Sequence, residues 1–169
     1  MKYAKIIKYD TGNWDGITAT IFFSGCRFNC PGCFNKVAQD FNYGEEFTEE
    51  VIDKFIEYAN DEHVTGICIL GGEPFQQDLD MLYHFVFRLV IEVGKPIHMW
   101  TGYTYEELEK HHECRMVLIN IDTLVDGRFM IDKKDLSLKY RGSSNQRVIN
   151  VPESIKAGKI IQIKEWLIC

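Results

Sequence analysis

Cys26, Cys30 and Cys33 stand in the stretch SGCRFNCPGCFN, separated by three and then two residues. Spacing this short lets one tight loop present three thiolates to a single metal centre, with Pro31 and Gly32 helping the chain to turn and Gly25 allowing close backbone approach. Structural zinc sites close with four ligands. Zinc would therefore have to recruit a distant fourth group, the candidates being His63, His84, Cys68 and Cys114. A four-iron cubane held at three corners instead keeps one iron open for a substrate or cofactor, as a catalytic metal must. This loop favours the iron-sulfur reading, with zinc, or three unrelated buried thiols, as the alternatives.

A second stretch, GICILGGEPFQQ, places Gly71 and Gly72 directly after an apolar run. Glycine there permits positive φ and close approach to a ligand, Glu73 adds a carboxylate at the same rim, and Pro74 limits the turn. Taken alone, such a run is a tight turn into a helix. Thr101 and Gly102 follow another strand, where a hydroxyl and an exposed backbone could meet a cofactor; TG is also a common loop pair. Asp126 follows DTLV and is a candidate contact to a ribose or a cation, or else a cap or turn residue. RGSSNQR, residues 141–147, is polar, carries two guanidiniums and reads by composition as a solvated turn between strands. Cys68 reads as a small core residue, and Cys114 and Cys169 lack ligand-like neighbours at short spacing.

Strands and helices alternate around these loops. Short β-rich runs cover 2–9 and 17–23, joined by the turn-forming DTGNWDG. The stretch FTEEVIDKFIEYAND repeats apolar residues at helical period, with Thr48 as a cap. A buried strand follows at 64–70, then a helix at 79–93, a strand at 96–100 and a helix at 105–114 opened by a Thr104/Glu107 capping box. Further strands are expected at 121–125, 148–151 and 159–166. This is an α/β pattern with a parallel sheet, in which chemistry sits beyond the carboxyl ends of the strands. A complete eight-unit β/α barrel takes about 250 residues, so this chain has room for part of one or for an open doubly wound sheet.

With 169 residues the expectation is one domain over 1–169. Hydrophobic residues at 46% and charged ones at 26% fit an ordinary folded chain. A formal charge of −6 argues against a nucleic-acid surface. No apolar run is long enough to span a bilayer and no signal peptide is recognisable, so a cytoplasmic location is expected. Thiols there stay reduced, and the six cysteines are read as ligands or core residues rather than as disulfides.

The cysteine loop and the GGEP run together resemble the radical S-adenosylmethionine superfamily. SGCRFNCPGCFN, LGGEPF, WTGYTYEEL, VDGRF and YRGSSNQRVI also occur in the order seen in the activating enzymes of anaerobic ribonucleoside-triphosphate reductase, over most of the chain. Two departures stand out: Gly32 replaces the aromatic residue that often precedes the third cysteine, and NWDGIT leaves Thr18 where an arginine is usual. The resemblance implies a partial, incomplete parallel β/α barrel of the radical SAM type, open on one side. It implies that Cys26, Cys30 and Cys33 hold a 4Fe-4S cluster with one open iron that chelates S-adenosylmethionine. Gly71, Gly72 and Glu73 would line the methionine end, with Thr101 and Asp126 as further cofactor contacts. The implied reaction is reductive cleavage to a 5′-deoxyadenosyl radical, which takes a hydrogen from a glycine loop of the anaerobic reductase. An electron donor such as a flavodoxin is implied as a second partner. The alternatives are an activase of the pyruvate formate-lyase type and a non-catalytic zinc-binding interaction module.

Overall fold

Short connections decide which strands of this chain run parallel. In the computed structural model, which describes residues 1–163, β1 (Lys2–Asp10) and β2 (Thr18–Phe23) are joined by a turn far shorter than the dozen or so residues a parallel crossover needs, so they pair antiparallel. The two-residue β3 (Glu45–Glu46) adds to the outer edge of β1, and α1 (Glu49–Ala59) carries the chain to β4 (Gly66–Gly71). Then follow α2 (Leu79–Glu92), β5 (Ile97–Trp100), the short α3 (Tyr105–Leu108) and α4 (His112–Leu118), and β6 (Thr123–Asp126). After a long loop, β7 (Arg147–Asn150) and α5 (Val151–Ala157) are the last elements among the described residues.

The strand order is β3-β1-β2-β4-β5-β6-β7. The expected parallel arrangement holds for β2, β4, β5 and β6; β7 returns antiparallel to β6, because the loop between them contains no α-helix to carry a crossover. The sheet is therefore mixed, and its four parallel strands end at one rim, with Phe23 beside Gly71 and Trp100 beside Val125.

The helix expected at 105–114 is two helices. A continuous helix would need an apolar residue three or four positions after Leu108, and those positions are His111 and His112, both exposed. The buried face restarts at Cys114, Val117 and Leu118. The capping box is present: Thr104 Oγ1 accepts from the Glu107 amide at 3.3 Å, and the Glu107 carboxylate accepts from the Thr104 amide at 2.7 Å. Thr48 does precede α1, without a side-chain capping bond. Val151 is not in a strand but opens α5, with Asn150 as its cap, Pro152 in its first turn and Gly158 closing it at φ 61°. Of the strand expected at 159–166, the described part pairs antiparallel with β7: Gln162 bridges Ile149, flanked by the Asn150 amide donating to Ile161 O and the Ile163 amide to Val148 O, both at 2.9 Å; residues 164–166 lie outside the described residues.

Alternating residues build two cores. Ile21, Ile67, Ile69, Met99 and Leu124 face the helices and meet Phe55, Phe85 and Leu89. The opposite face presents Cys68, Leu70, Val125 and Val148, and no helical residue belongs to that cluster among the described residues. Trp14, from the β1–β2 turn, covers this face: its ring stacks on His98 at 3.9 Å and on Tyr140 at 4.1 Å between centroids. Among the described residues no helix is long and apolar enough to cross a membrane.

His98 is 7% exposed and its Nδ1 has no hydrogen-bond partner among the described residues. Burial pushes its pKa down to about 4, so the fold favours the neutral ring. Between pH 6.5 and 4 the unfolded chain takes up this proton and the folded one does not, so stability falls as pH drops through that window. His98→Phe should remove this slope, a difference on the order of 3 kcal/mol at the acid end. Urea denaturation of both proteins from pH 7 to 4 measures it; parallel profiles would contradict the assignment.

Candidate functional site

The loop after β2 is held by backbone before any metal is considered. The Gly25 amide donates to Ala38 O at 2.7 Å and the Cys26 amide to Gln39 O at 3.0 Å, while the Cys33 amide closes a turn onto Cys30 O at 3.1 Å. The loop is also fastened to its neighbour. The Gly72 amide donates to Phe23 O at 2.7 Å, the Glu73 amide to Gly25 O at 2.8 Å, and the Gln77 side chain to the same oxygen at 3.0 Å. This contact is what requires the two glycines. A Cβ on Gly71, whose φ is +116°, would lie 2.5 Å from Phe23 backbone atoms, and one on Gly72 would lie 2.5 Å from Gly25 O. The close approach that glycine allows here is first of all to the cysteine loop itself.

Glu73 is 1% exposed, and its carboxylate is filled by neighbours. Oε1 accepts from Thr101 Oγ1 at 2.7 Å and from the Phe75 amide at 3.1 Å; Oε2 accepts from the Gly102 amide at 2.7 Å. Burial pushes its pKa up to about 7, against the pull of these three donors. Glu73 and Thr101, separate candidates in the sequence, are one hydrogen-bonded unit joining the β4 and β5 loops.

Cys26, Cys30 and Cys33 line a cavity of about 480 Å³. Gly71, Gly72, Glu73 and Thr101 line it too, so these sequence candidates converge. Asp126 does not. It is 1% exposed, with Oδ1 accepting from Arg147 Nε at 2.9 Å and Oδ2 from the Tyr105 amide at 2.8 Å, and Gly127 lines the cavity in its place. Arg147 also grips both oxygens of Glu106, at 3.0 and 2.7 Å.

RGSSNQR is more than a solvated turn. Arg141, Gly142 and Gln146 line the cavity, while Arg147 faces the other way, onto Asp126. Gln146 folds the segment: its Oε1 accepts from the Gly142 and Ser143 amides at 2.9 and 3.2 Å, and its Nε2 donates to Gly127 O at 2.9 Å.

Sequence reasoning passed over Gly12 and Asn13, which also line the cavity. Asp10 holds them there: Oδ1 accepts from the Gly12 amide at 2.9 Å, and Oδ2 from Asn13 Nδ2 and Thr20 Oγ1 at 2.5 and 2.6 Å. The available signal was the Asp-x-Gly turn chemistry of DTG. Thr18 is fully buried and donates to Asp10 O at 3.3 Å.

The donor set fits a cluster better than a single ion. None of His63, His84, Cys68 and Cys114 lines the cavity. Cys68 is fully buried on β4, its thiol pushed up to about 12 by burial, and it bonds Thr18; Cys114 packs in the helix-side core; His84 lies 3.2 Å from Glu49. Among the described residues no three His, Cys, Asp or Glu side chains gather closely enough to hold one metal ion. The cysteines that line the cavity are the three of the loop, Cys26, Cys30 and Cys33, and thiols are the donors an iron-sulfur group takes. Burial pushes the Cys26 and Cys30 thiols up, so a bound metal would have to replace their protons.

The family model described as a 4Fe-4S single cluster domain matches residues 13–149. That defines the class: a protein built around one four-iron cluster. A protein of Salmonella typhi is 42% identical over 153 residues, spanning 88% of this chain and 97% of its own length. One of Escherichia coli is 41% identical over 152 residues, with the same coverage. Both are named anaerobic ribonucleoside-triphosphate reductase-activating protein. The chain belongs to this family of reductase-activating proteins.

The Glu73 unit has a measurable pH signature. Thr101→Val removes one donor from a carboxylate that is ionised at pH 8 and protonated at pH 5, where the bond is no longer charge-assisted. The substitution should cost about 1–3 kcal/mol at pH 8 and clearly less at pH 5. Denaturation at both pH values decides; an equal cost would mean that Glu73 does not ionise in this range.

Proposed function

We propose that this chain is a radical S-adenosylmethionine activase that generates a glycyl radical on an anaerobic ribonucleoside-triphosphate reductase. The observation that carries the reading is the convergence of three cysteines and the Gly71–Gly72–Glu73–Thr101 unit on one cavity. The names of the relatives supply the target. The parallel strands β2, β4, β5 and β6, with all the described helices packed toward one face, support a partial β/α barrel open on one side, formed within a single domain.

In this reading Cys26, Cys30 and Cys33 would hold a 4Fe-4S cluster that keeps one iron for the cofactor. When bound, the reduced cluster and S-adenosylmethionine supply one-electron chemistry able to remove a hydrogen atom from glycine. The chain's own residues position and enclose. Glu73 fixes the Thr101 hydroxyl and the Gly102 amide at the cavity wall, and Gln146 holds Gly142 and Gly127 over it. Phe129 and Leu138 give that wall apolar surface that excludes water. Asp126 contributes from behind, by anchoring Arg147 and Tyr105. The electron comes from a separate one-electron donor such as a flavodoxin, in the cytoplasm.

The test is anaerobic reconstitution with iron and sulfide, then electron paramagnetic resonance of the reduced protein with and without S-adenosylmethionine. A cubane signal that changes on addition, is lost in Cys30→Ala, and is followed by a glycyl radical on the added reductase supports the reading. A single bound zinc and indifference to the cofactor would refute it. A radical formed only on a pyruvate formate-lyase type partner would move the target.

A further inference from the structure

The loop between β6 and β7 doubles back on itself as a strap. The Asp135 amide donates to Gly142 O at 3.2 Å and the Ser144 amide to Lys133 O at 2.9 Å, so the segment around Leu136 forms a tip. The strap carries uncovered apolar side chains at this tip and just before it: Leu136 is 86% exposed and Ile131 50%. The cysteine loop has the same character, with Phe34 88% and Val37 61% exposed. Single exposed apolar residues are ordinary on a folded protein, whereas a contiguous group marks an interaction site. Here the two groups are contiguous. Ile131 Cδ1 lies 2.6 Å from where a Cβ on Gly32 would stand, so the strap rests on the cysteine loop, and Phe34 and Leu136 both border the cavity mouth.

The same two segments are basic in an acidic protein. Residues 27–40 and 128–141 together carry seven Arg or Lys against three Asp, while the whole chain has a net charge of −6. Lys139 meets Asp15 at 3.4 Å, Arg128 lies over the Phe28 ring, and Lys36, Lys133 and Lys134 make no ion pair among the described residues. An apolar rim flanked by free cations suits a partner that is apolar at its centre and acidic around it.

We propose that the rim formed by Phe34, Ile131 and Leu136, with Lys133 and its basic neighbours, is where the reductase docks, through an acidic surface surrounding the apolar segment that carries its reactive glycine. This rests on reading the cavity as the place where a polypeptide glycine reacts. The rim then does two things. Its apolar contacts seal the mouth while the glycine is inside, and its charges steer the encounter, so complex formation weakens as salt rises.

The experiment measures binding of the reconstituted, S-adenosylmethionine-loaded protein to purified reductase at low and high salt, for the wild type, Leu136→Asp and Lys133→Glu. The cluster signal and its response to S-adenosylmethionine report that each variant is intact. Leu136→Asp should weaken binding about tenfold or more, and Lys133→Glu should weaken it at low salt and flatten the salt dependence. Variants that bind like the wild type would overturn the rim and leave the proposed function standing. A wild type that binds no reductase would overturn both. Weakened binding to a flavodoxin with reductase binding unchanged would give the rim to the electron donor instead and also overturn the proposal.

Discussion

The carboxylate of Glu73 is the interaction on which the site's architecture depends. Through its side chain it holds Thr101 and Gly102 of the β5 loop, and through its amide it holds Gly25 of the cysteine loop. One residue thus ties together the ends of three parallel strands. Burying an ionisable carboxyl costs several kcal/mol unless neighbours compensate. Three donors do so only in part, which is why its pKa rises to about 7 instead of falling.

The mixed sheet explains how a small chain closes the face that its helices leave bare. Trp14 from the β1–β2 turn and Tyr140 from the strap stack together, and Trp100 Nε1 donates to Tyr140 O at 2.7 Å, fastening the strap to the end of β5. At its other end Arg147 is locked by Asp126 and Glu106. The strap is therefore fastened at Tyr140 and again where it passes into β7, and is left uncovered at Leu136. That division suits a segment that forms a cavity wall with one part and a contact surface with another.

Legibility in the sequence followed how local each signal was. The cysteine loop, the GGEP run and the Thr104/Glu107 capping box are set by spacing within a few residues and could be read directly. The parallel strands showed as apolar runs ending at those loops. Asp126 carried the same kind of local signal, a carboxylate at a strand end, but its partner Arg147 is 21 residues away in sequence, and no periodicity links them. The broken helix after Thr104 was readable in principle, since His111 and His112 fall where its apolar stripe had to continue. So was α5, whose Asn, Pro, Glu and Gly signals run from the end of the strand expected at 148–151 to the strand expected at 159–166. The pairing of Glu73 with Thr101 depends on parallel register between β4 and β5, which only the fold supplies.

That register also bears on how a metal group would be acquired. In small zinc domains the metal supplies the folding energy, because the ligand loops have no structure without it. Here Gly25 and Cys26 are fixed by backbone bonds to Ala38 and Gln39, Glu73 by its bond to Gly25, and Cys33 by its turn onto Cys30. The thiols are not what holds the loop together. Burial makes the Cys26 and Cys30 thiols reluctant to ionise, and the bonds that set the ends of the loop run through its backbone. The contacts between β2 and β4 that set the ends of the loop run through the glycines of the GGEP run, where a Cβ on Gly71 or Gly72 would collide with the backbone of Phe23 or Gly25.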